Sequence, residues 1–227
     1  MTEVTVNKTI QVPASEAWAK LSSFRNIEEI SPIIVKSETM GAGVGATRIC
    51  YMPDYGAATA IHETLHKVED TTMELQYKMT KGPFPISGYV SDIKVTAIGD
   101  FSCTVTWGCQ FETEEEASNN SAMIELFEGF YHAIIEGLET RIQNKHKLQK
   151  QKRFILDLFW IFFSTFIPYI WETNGLNTYT FVFIGLLVVF VDKFIHYIWI
   201  PTNELTNTHN FAFTGLLLVV VEVYLGA

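Results

Sequence analysis

The feature that most constrains this chain is an abrupt change of character between residues 140 and 154. Residues 1–140 contain nine Lys or Arg and twenty Asp or Glu, so the front of the chain is strongly acidic. Residues 141–153 contain six basic residues and no acid, and residues 154–227 contain one Lys, no Arg and long apolar runs. A chain that changes its solvent preference this sharply has two parts suited to two media. We therefore predict a water-soluble domain at 1–145, a basic juxtamembrane linker at 146–153 and a membrane part after it.

The apolar part divides into three stretches that can cross, or nearly cross, a hydrocarbon layer ~30 Å thick at about 1.5 Å rise per residue. Aromatic side chains cluster at their ends, where amphipathic rings prefer the membrane interface. The basic linker abuts the first stretch, and positive residues remain on the cytoplasmic side. We predict an integral protein of the cytoplasmic (inner) membrane whose N-terminal domain is cytoplasmic. Its α-helical membrane bundle would span about 154–171, 178–200 and 210–226.

Asp192, His196 and Glu222 are ionisable residues within the last two stretches. Asp192 and Glu222 occupy one position of an internal repeat, and His196 follows Asp192 by four residues. Acids in membrane helices can form a relay, but they more commonly serve as interfacial or helix–helix hydrogen-bonding groups. The spacing of Asp192 and His196 would suit a metal or a haem-type iron, yet no partner motif accompanies them. We predict no metal site and leave the cofactor unknown.

The front of the chain alternates apolar and polar residues in the manner of half-buried antiparallel strands. In the clearest run, every second residue from Phe101 to Phe111 is apolar. A stripe of apolar residues repeats every three or four positions over 121–149, which predicts a long amphipathic helix. The expected order is strand, two short helices, six strands and the long helix, an α+β domain. The strands are predicted at 5–12, 34–39, 46–52, 58–68, 71–80, 86–97 and 101–113, and the short helices at 16–22 and 24–30.

That order, with several local phrases, resembles the START/Bet v 1-like superfamily, the polyketide-cyclase and lipid-transport or helix-grip (SRPBCC) group. The phrases are VPASEAW at 12–18, GVGATR at 43–48, ETL at 63–65, GPFPI at 82–86 and TVTW at 104–107. The resemblance implies a helix-grip fold, in which a curved antiparallel seven-stranded sheet surrounds a long C-terminal helix and an apolar cavity. Members with a C-terminal membrane anchor resemble the carbon monoxide dehydrogenase G-subunit type, which implies quinone handling or enzyme docking.

Within that superfamily, the plant hormone receptors allow a comparison residue by residue. Their cavity lysine resembles Lys36, their cavity glutamate resembles Glu63, and their Tyr-x-Ser pair resembles Tyr89 and Ser91. The loops at 53–57 and 82–86 would close the cavity. The ligand contacts that we expect are Lys36, Glu63, Tyr77, Tyr89, Ser91, Trp107, Phe127 and Tyr131.

Inside an apolar cavity, Lys36 and Glu63 would pair with each other or hold a polar ligand head, because an unpaired buried charge is costly. In the alternative, both are ordinary strand residues and Lys36 is solvated. An enzyme would use Glu63 or His62 as an acid–base group. We find no second paired carboxylate and no Ser/His/Asp set in the sequence, and we predict no catalytic residue.

We predict a membrane-tethered binding module that takes up a hydrophobic small molecule (lipid, isoprenoid, quinone or pigment-like) at the cytoplasmic membrane surface. Its pocket should fall in the ~300–1,000 Å³ range of small-ligand sites. The expected partners are that molecule and the lipid bilayer. In the alternative function the protein is an accessory subunit, and its partner is a membrane protein complex. The third function that we consider is a cyclase- or hydratase-like enzyme. An acidic domain without a basic face argues against nucleic acid as a partner.

Overall fold

The computed structural model describes residues 1–53, 60–113 and 118–172. The chain divides into two compact units, Met1–Lys150 and Gln151–Ala227. All the strands and the cavity described below belong to the first unit.

The elements follow the predicted order, with bounds that differ by a few residues. The strands are β1 (Thr2–Ile10), β2 (Lys36–Met40), β3 (Thr47–Tyr51), β4 (Ile61–Glu69), β5 (Glu74–Lys81), β6 (Ile86–Gly99) and β7 (Ser102–Thr113). The helices are α1 (Ala14–Ser22), a single 3-10 turn (Ile27–Glu29) and α2 (Ser118–Glu172).

The seven strands form one antiparallel sheet in the order β1-β7-β6-β5-β4-β3-β2. β2 to β7 are therefore sequential neighbours, and α1 with the 3-10 turn carries the chain from β1 at one edge to β2 at the other. A seven-stranded antiparallel sheet followed by a long helix is the predicted helix-grip architecture. The α+β class and this fold are confirmed for the front of the chain.

Alternation in β7 builds one wall of the core. Cys103, Val105, Trp107, Cys109 and Phe111 are each at most 2% exposed, while the residues between them are more accessible. Apolar side chains two apart on a strand point to one face, so this face carries the buried stripe. Phe101 was expected to extend the stripe but is 77% exposed. It precedes the first residue of β7, and the turn breaks the alternation.

The first part of α2 packs its apolar stripe on this wall. Two ring contacts join helix and strand: Trp107 stacks on Tyr131 with ring centroids 5.5 Å apart, and Phe111 meets Phe127 at 5.3 Å. Gly137 allows a further close approach, because a Cβ at this position would lie 1.9 Å from the Ile30 carbonyl oxygen. The buried residues of the stripe are Phe127, Tyr131, Ile135, Leu138 and Ile142.

The domain has two distinct ends, which we name by the connections that they carry. Because sequential strands from β2 to β7 are antiparallel neighbours, the β2–β3, β4–β5 and β6–β7 turns lie together at one end, the hairpin end. The last residues of β3, β5 and β7 lie at the other end, the loop end. At edge strand β1, Thr2 pairs with Phe111 near the loop end, and Ile10 pairs with Cys103 near the hairpin end.

The predicted membrane part is only partly within the described residues. The first predicted span, 154–171, and the predicted linker, 146–153, are both helical and belong to α2. In the part of the chain that the structure describes, no helix combines the length and the apolar character needed to cross a membrane. The spans predicted at 178–200 and 210–226, with Asp192, His196 and Glu222, lie outside the described residues.

Candidate functional site

A cavity of about 60 Å³ lies between the concave face of the sheet and α2. This volume is well below the predicted range, and the size prediction is corrected accordingly. The reason is the bulk of the facing side chains: rings from β5, β6, β7 and α2 project into the same space and fill most of it. Those rings belong to Tyr77, Tyr89, Trp107, Phe127, Phe130 and Tyr131.

The structure brings most of the predicted contact residues together at this cavity. Its lining includes Glu63, Tyr77, Tyr89, Trp107, Phe127 and Tyr131. Ser91 lies behind Trp107 rather than on the cavity surface and is fully buried. Its hydroxyl donates to the Gly108 carbonyl oxygen at 2.8 Å and accepts from the Trp107 Nε1–H at 3.1 Å. Ser91 therefore orients the indole that forms the wall.

Lys36 does not reach the cavity, so the position predicted for it is wrong. Its side chain is 65% exposed, and its Nζ donates to Glu38 Oε1 at 2.7 Å. The hydrogen bond and the charge of Glu38 raise the pKa of Lys36. β2 begins only at Lys36, and Ser37 and Thr39 are its more buried positions. The alternative that Lys36 is solvated describes what the structure shows.

Arg48 supplies the buried cation instead. Arg48 on β3 and Glu63 on β4 are direct cross-strand partners, and both Nε and a terminal nitrogen of Arg48 donate to Glu63 Oε2, at 2.7 and 2.6 Å. The two side chains are only 6% and 9% exposed. The Cys50 thiol donates to the same carboxylate oxygen with an S···O distance of 3.6 Å. The site therefore contains a neutralised ion pair rather than a single charge.

A strained aromatic residue covers this ion pair. The centroid of the Phe24 ring lies 4.1 Å from the Arg48 guanidinium carbon, which is a cation–π contact. Phe24 has φ of 55°, in the left-handed region that bulky side chains avoid, where the strain is of order 1–3 kcal/mol. The short connection after α1 therefore holds a disfavoured backbone conformation in which the ring shields the guanidinium from water.

Burial sets the protonation of the groups around the pair. Burial acts to lower the pKa of Arg48, but the charge of Glu63 outweighs it, and the pKa is raised above its ordinary value. Burial, with Glu63 adding to it, raises the pKa of the Cys50 thiol and of the Tyr77 hydroxyl. Both groups are neutral near pH 7. They can donate hydrogen bonds there, but they are not ionised nucleophiles or bases.

The other polar groups of the cavity pair with one another. The Tyr89 and Tyr131 hydroxyls are 2.7 Å apart, and the Trp107 Nε1–H also lies 3.3 Å from the Tyr77 hydroxyl. Burial raises the pKa of both Tyr89 and Tyr131. Among the described residues, no buried side-chain nitrogen or oxygen lacks a hydrogen-bond partner. The polar groups are thus satisfied internally, and the cavity presents a mainly aromatic and aliphatic surface.

The cavity approaches the surface at the loop end of the domain. Its half-buried lining residues include Ile33, Met79, Phe84, Phe130 and Ile134, which we call the rim. Phe84 lies in the predicted closing loop at 82–86, and its ring meets Phe127 at 5.5 Å and Phe130 at 6.2 Å. That loop therefore closes directly on α2. Of the other predicted loop, 53–57, only Pro53 is among the described residues.

Sequence reasoning missed Arg48 and Cys50, and of the rim it singled out only the closing loop at 82–86 that carries Phe84. A usable signal existed for the first two, since residues 48 and 50 are two apart and so share a face of one strand. The rim residues come from four separate segments of the chain. No periodic pattern links them, and only the folded sheet and helix bring them together.

Solved structures share this fold over the front of the chain. Protein XoxI from Bacillus cereus is 25% identical, with a TM-score of 0.54 over 62% of this chain and 94% of its own. A protein from Thermobifida fusca is 22% identical, with a TM-score of 0.55 over 62% of this chain and 93% of its own. Norcoclaurine synthase from Thalictrum flavum, solved with dopamine and hydroxybenzaldehyde, is 14% identical, with a TM-score of 0.52 over 63% and 87%. None of the curated proteins matches this chain.

A family model described as "Polyketide cyclase / dehydrase and lipid transport" matches residues 1–143, which is more than half of the chain. The match covers every strand and the part of α2 that packs on the sheet. It supports a module for hydrophobic small molecules, and it does not extend to the expected membrane anchor or to the carbon monoxide dehydrogenase type. By its sequence over this range and by its fold, the chain belongs to the polyketide cyclase/dehydrase and lipid transport family.

Proposed function

We propose that residues 1–145 bind a neutral hydrophobic small molecule in the cavity and that residues 154–227 tether this module to a membrane. The observation that carries the proposal is the cavity itself, a largely apolar space enclosed by aromatic side chains whose polar groups are already paired. Native interiors contain few voids larger than a water molecule, so an apolar cavity of about 60 Å³ is more open space than close packing usually leaves at one place.

The ion pair between Arg48 and Glu63 favours a neutral ligand over a charged one. Arg48 and Glu63 neutralise each other, so a ligand carboxylate or ammonium would have to break the pair in order to gain a partner. Breaking a buried pair leaves one charge uncompensated, which is strongly unfavourable. A neutral carbonyl or hydroxyl can instead accept from, or donate to, the tyrosine hydroxyls. Of the classes expected from the sequence, quinones, isoprenoids and neutral lipids fit this condition.

The volume limits the part of the ligand that the closed cavity can hold. About 60 Å³ has room for only a small chemical group. A longer molecule would have to displace rim side chains, and Met79 and Phe84 are suited to this because they are half-buried. Methionine in particular adapts readily to differently shaped neighbours. We therefore expect a small head group in the cavity and the remainder of a longer ligand between the rim residues.

Two observations support the tether. Residues 154–227 contain long apolar runs directly after the basic residues 141–153. In addition, the described beginning of this segment exposes large apolar side chains that water does not favour. They are Phe154 at 61%, Leu156 at 42%, Leu158 at 48%, Trp160 at 69% and Ile161 at 62%.

The binding proposal can be tested by native mass spectrometry of the full chain released from detergent. The probes are indole, menadione and retinol, neutral aromatic or polyene molecules of increasing size. Ile134→Trp places a large ring at the rim and should weaken binding at least about tenfold, the effect of ~1.4 kcal/mol. Ile124→Trp is the matched control, since Ile124 is half-buried on the same helix but does not line the cavity.

We expect at least one probe to bind one-to-one to the unmodified chain and to the Ile124→Trp variant, with loss in the Ile134→Trp variant. Equal binding by both variants would place the ligand elsewhere and refute the proposal. A stoichiometric protein partner in place of any small molecule would favour the accessory-subunit function.

A further inference from the structure

We infer that the hairpin end of the domain is a membrane-contact surface, with Ile98 near the end of β6 and Phe101 in the β6–β7 turn touching the lipid interface. The inference rests on the proposed tether. It adds which face of the domain meets the bilayer and, as a consequence, in which direction the cavity opens.

The first observation is where the chain leaves the domain. Along α2, Asn120 accepts from the Thr2 hydroxyl, Glu136 contacts Lys8, and Glu139 accepts from the Gln11 backbone N–H. Since β1 runs from the loop end to the hairpin end, α2 runs the same way. His146 then contacts Glu16 of α1, beyond the end of β1. The last residues of the first unit, up to Lys150, therefore lie at the hairpin end.

The second observation is the character of the turns at this end. Ile98, the second-last residue of β6, is 60% exposed, and Phe101, in the β6–β7 turn, is 77% exposed. Met40, the last residue of β2, is 72% exposed, and Val44, within the β2–β3 turn, is 66% exposed. Single exposed apolar residues are ordinary, and Val35 is one at the other end of β2. Four at or beside two turns of the end where the last residues of the first unit lie are suited to the interface of a bilayer.

The third observation is charge. The last residues of α2 in the first unit include exposed Lys145, Lys147 and Lys150. Basic residues next to an apolar segment are attracted to anionic lipid headgroups. Asp100 lies between Ile98 and Phe101 in the turn and is repelled by the same headgroups. The contact is therefore a shallow one, at headgroup depth, in which the Phe101 ring enters the interface and the Asp100 carboxylate remains in water.

This orientation has a consequence for the cavity. The rim lies at the loop end, opposite the hairpin end, so it faces water and not the bilayer. A ligand would then enter from the aqueous side, delivered by a soluble carrier or a partner protein, and would not pass directly from the lipid beneath the domain.

The test uses the full chain in vesicles of phosphatidylcholine and phosphatidylglycerol. A single cysteine, from Phe101→Cys or Ser87→Cys, carries an environment-sensitive nitrobenzoxadiazole label. Ser87 is exposed near the loop end, where it pairs with Glu112. The native Cys50, Cys103 and Cys109 are buried, so labelling is selective for the new residue. Lipids bearing a nitroxide on the headgroup or on the acyl chain quench labels that lie close to them.

We expect the label at position 101 to be quenched by roughly twofold or more relative to the label at position 87, most strongly by the headgroup nitroxide. A second outcome is that the protein remains in the vesicles after an alkaline carbonate wash while the labels at both positions stay unquenched. That result would refute the contact surface and would still be consistent with the tether. Stronger quenching at position 87 than at position 101 would mean that the loop end faces the bilayer, and it would also refute the inference. Loss of the protein in the wash would refute the tether and the inference together, whereas ligand binding is measured separately.

Discussion

At the residue scale, the buried pair of Arg48 and Glu63 dominates the energetics of the site. We expect Glu63→Gln to lower the free energy of unfolding by about 3–5 kcal/mol, because it leaves the Arg48 guanidinium buried without a counter-charge. The change can be measured by chemical denaturation of the purified full chain, followed by tryptophan fluorescence.

Two control variants identify the cause. Replacing both partners, Arg48→Met with Glu63→Leu, removes the charges together and should recover most of the lost stability. Lys36→Met breaks the exposed pair with Glu38 and should leave the unfolding midpoint unchanged. If Glu63→Gln were as stable as the unmodified chain, the pair would not be buried as described.

The same residues show how far the sequence could predict the site. Tyr77 and Trp107 were predicted because strand alternation places them inward, and Tyr89 was predicted from the resemblance of its Tyr-x-Ser pair. Arg48 was missed because the resemblance assigned the positive charge of the cavity to Lys36. A strand predicted to begin at 34 would put Lys36 on the face of buried Ile34. The strand begins at Lys36 itself, so the alternation does not extend across that boundary.

At the element scale, α2 depends on one glycine for its close approach to the chain after the 3-10 turn. We expect Gly137→Ala to destabilise the protein by roughly 1–3 kcal/mol, because the new Cβ overlaps the Ile30 carbonyl and the helix must move away. The measurement is the denaturation midpoint.

Gly129→Ala is the matched control on the same helix. A Cβ there meets nothing within 4 Å. Alanine also favours a helix over glycine by roughly 0.5–1 kcal/mol, so this variant should be slightly more stable than the unmodified chain. Destabilisation of similar size in both variants would contradict the packing explanation, because a Cβ at position 129 meets nothing and alanine favours the helix.

The end of α2 shows a limit of sequence reasoning at this scale. A helix was predicted over 121–149, a separate span at 154–171, and a linker between them. No Gly or Pro occurs between Gly137 and Pro168, and the intervening residues are mostly good helix formers. Charge marks a change of medium, but it does not interrupt a helix. The element therefore continues to Glu172.

At the scale of the whole molecule, the interior holds neutral thiols and phenols that must stay protonated. Burial, with the charge of Glu139 adding for Cys103, raises the pKa of the thiols of Cys103 and Cys109 to about 11 from the ordinary 9.0. The unfolded chain releases these protons near pH 9, whereas the folded chain holds them until about pH 11. Stability should therefore be full below pH 9 and fall as the pH rises from 9 to 11.

Denaturation midpoints of the full chain across this pH range check the expectation. A Cys103→Ala, Cys109→Ala double variant should show a shallower alkaline decline, although it starts from a lower stability at pH 7 because of the lost packing. Parallel curves for the two proteins would show that the thiols are ionised to the same degree in both states.

The cavity volume is the property of the whole molecule that sequence could not supply. Alternation and helical periodicity predicted which side chains face each other across the sheet and α2. They contain no information on how closely those side chains interdigitate. The cavity volume is the small difference between the space that the sheet and α2 enclose and the volume of the side chains that fill it. The stacking of Trp107 on Tyr131 is one of the contacts that reduces it.

That stack also gives the domain an optical signature. Two aromatic chromophores held 5.5 Å apart and nearly parallel, in an asymmetric and rigid setting, should give a strong near-ultraviolet circular dichroism band. The band depends on the seating of α2 against β7, whereas the far-ultraviolet signal depends only on secondary structure. A variant that loosens the helix without melting it would lose the first signal and keep the second. The protein thus carries an internal, label-free reporter of whether its cavity is closed.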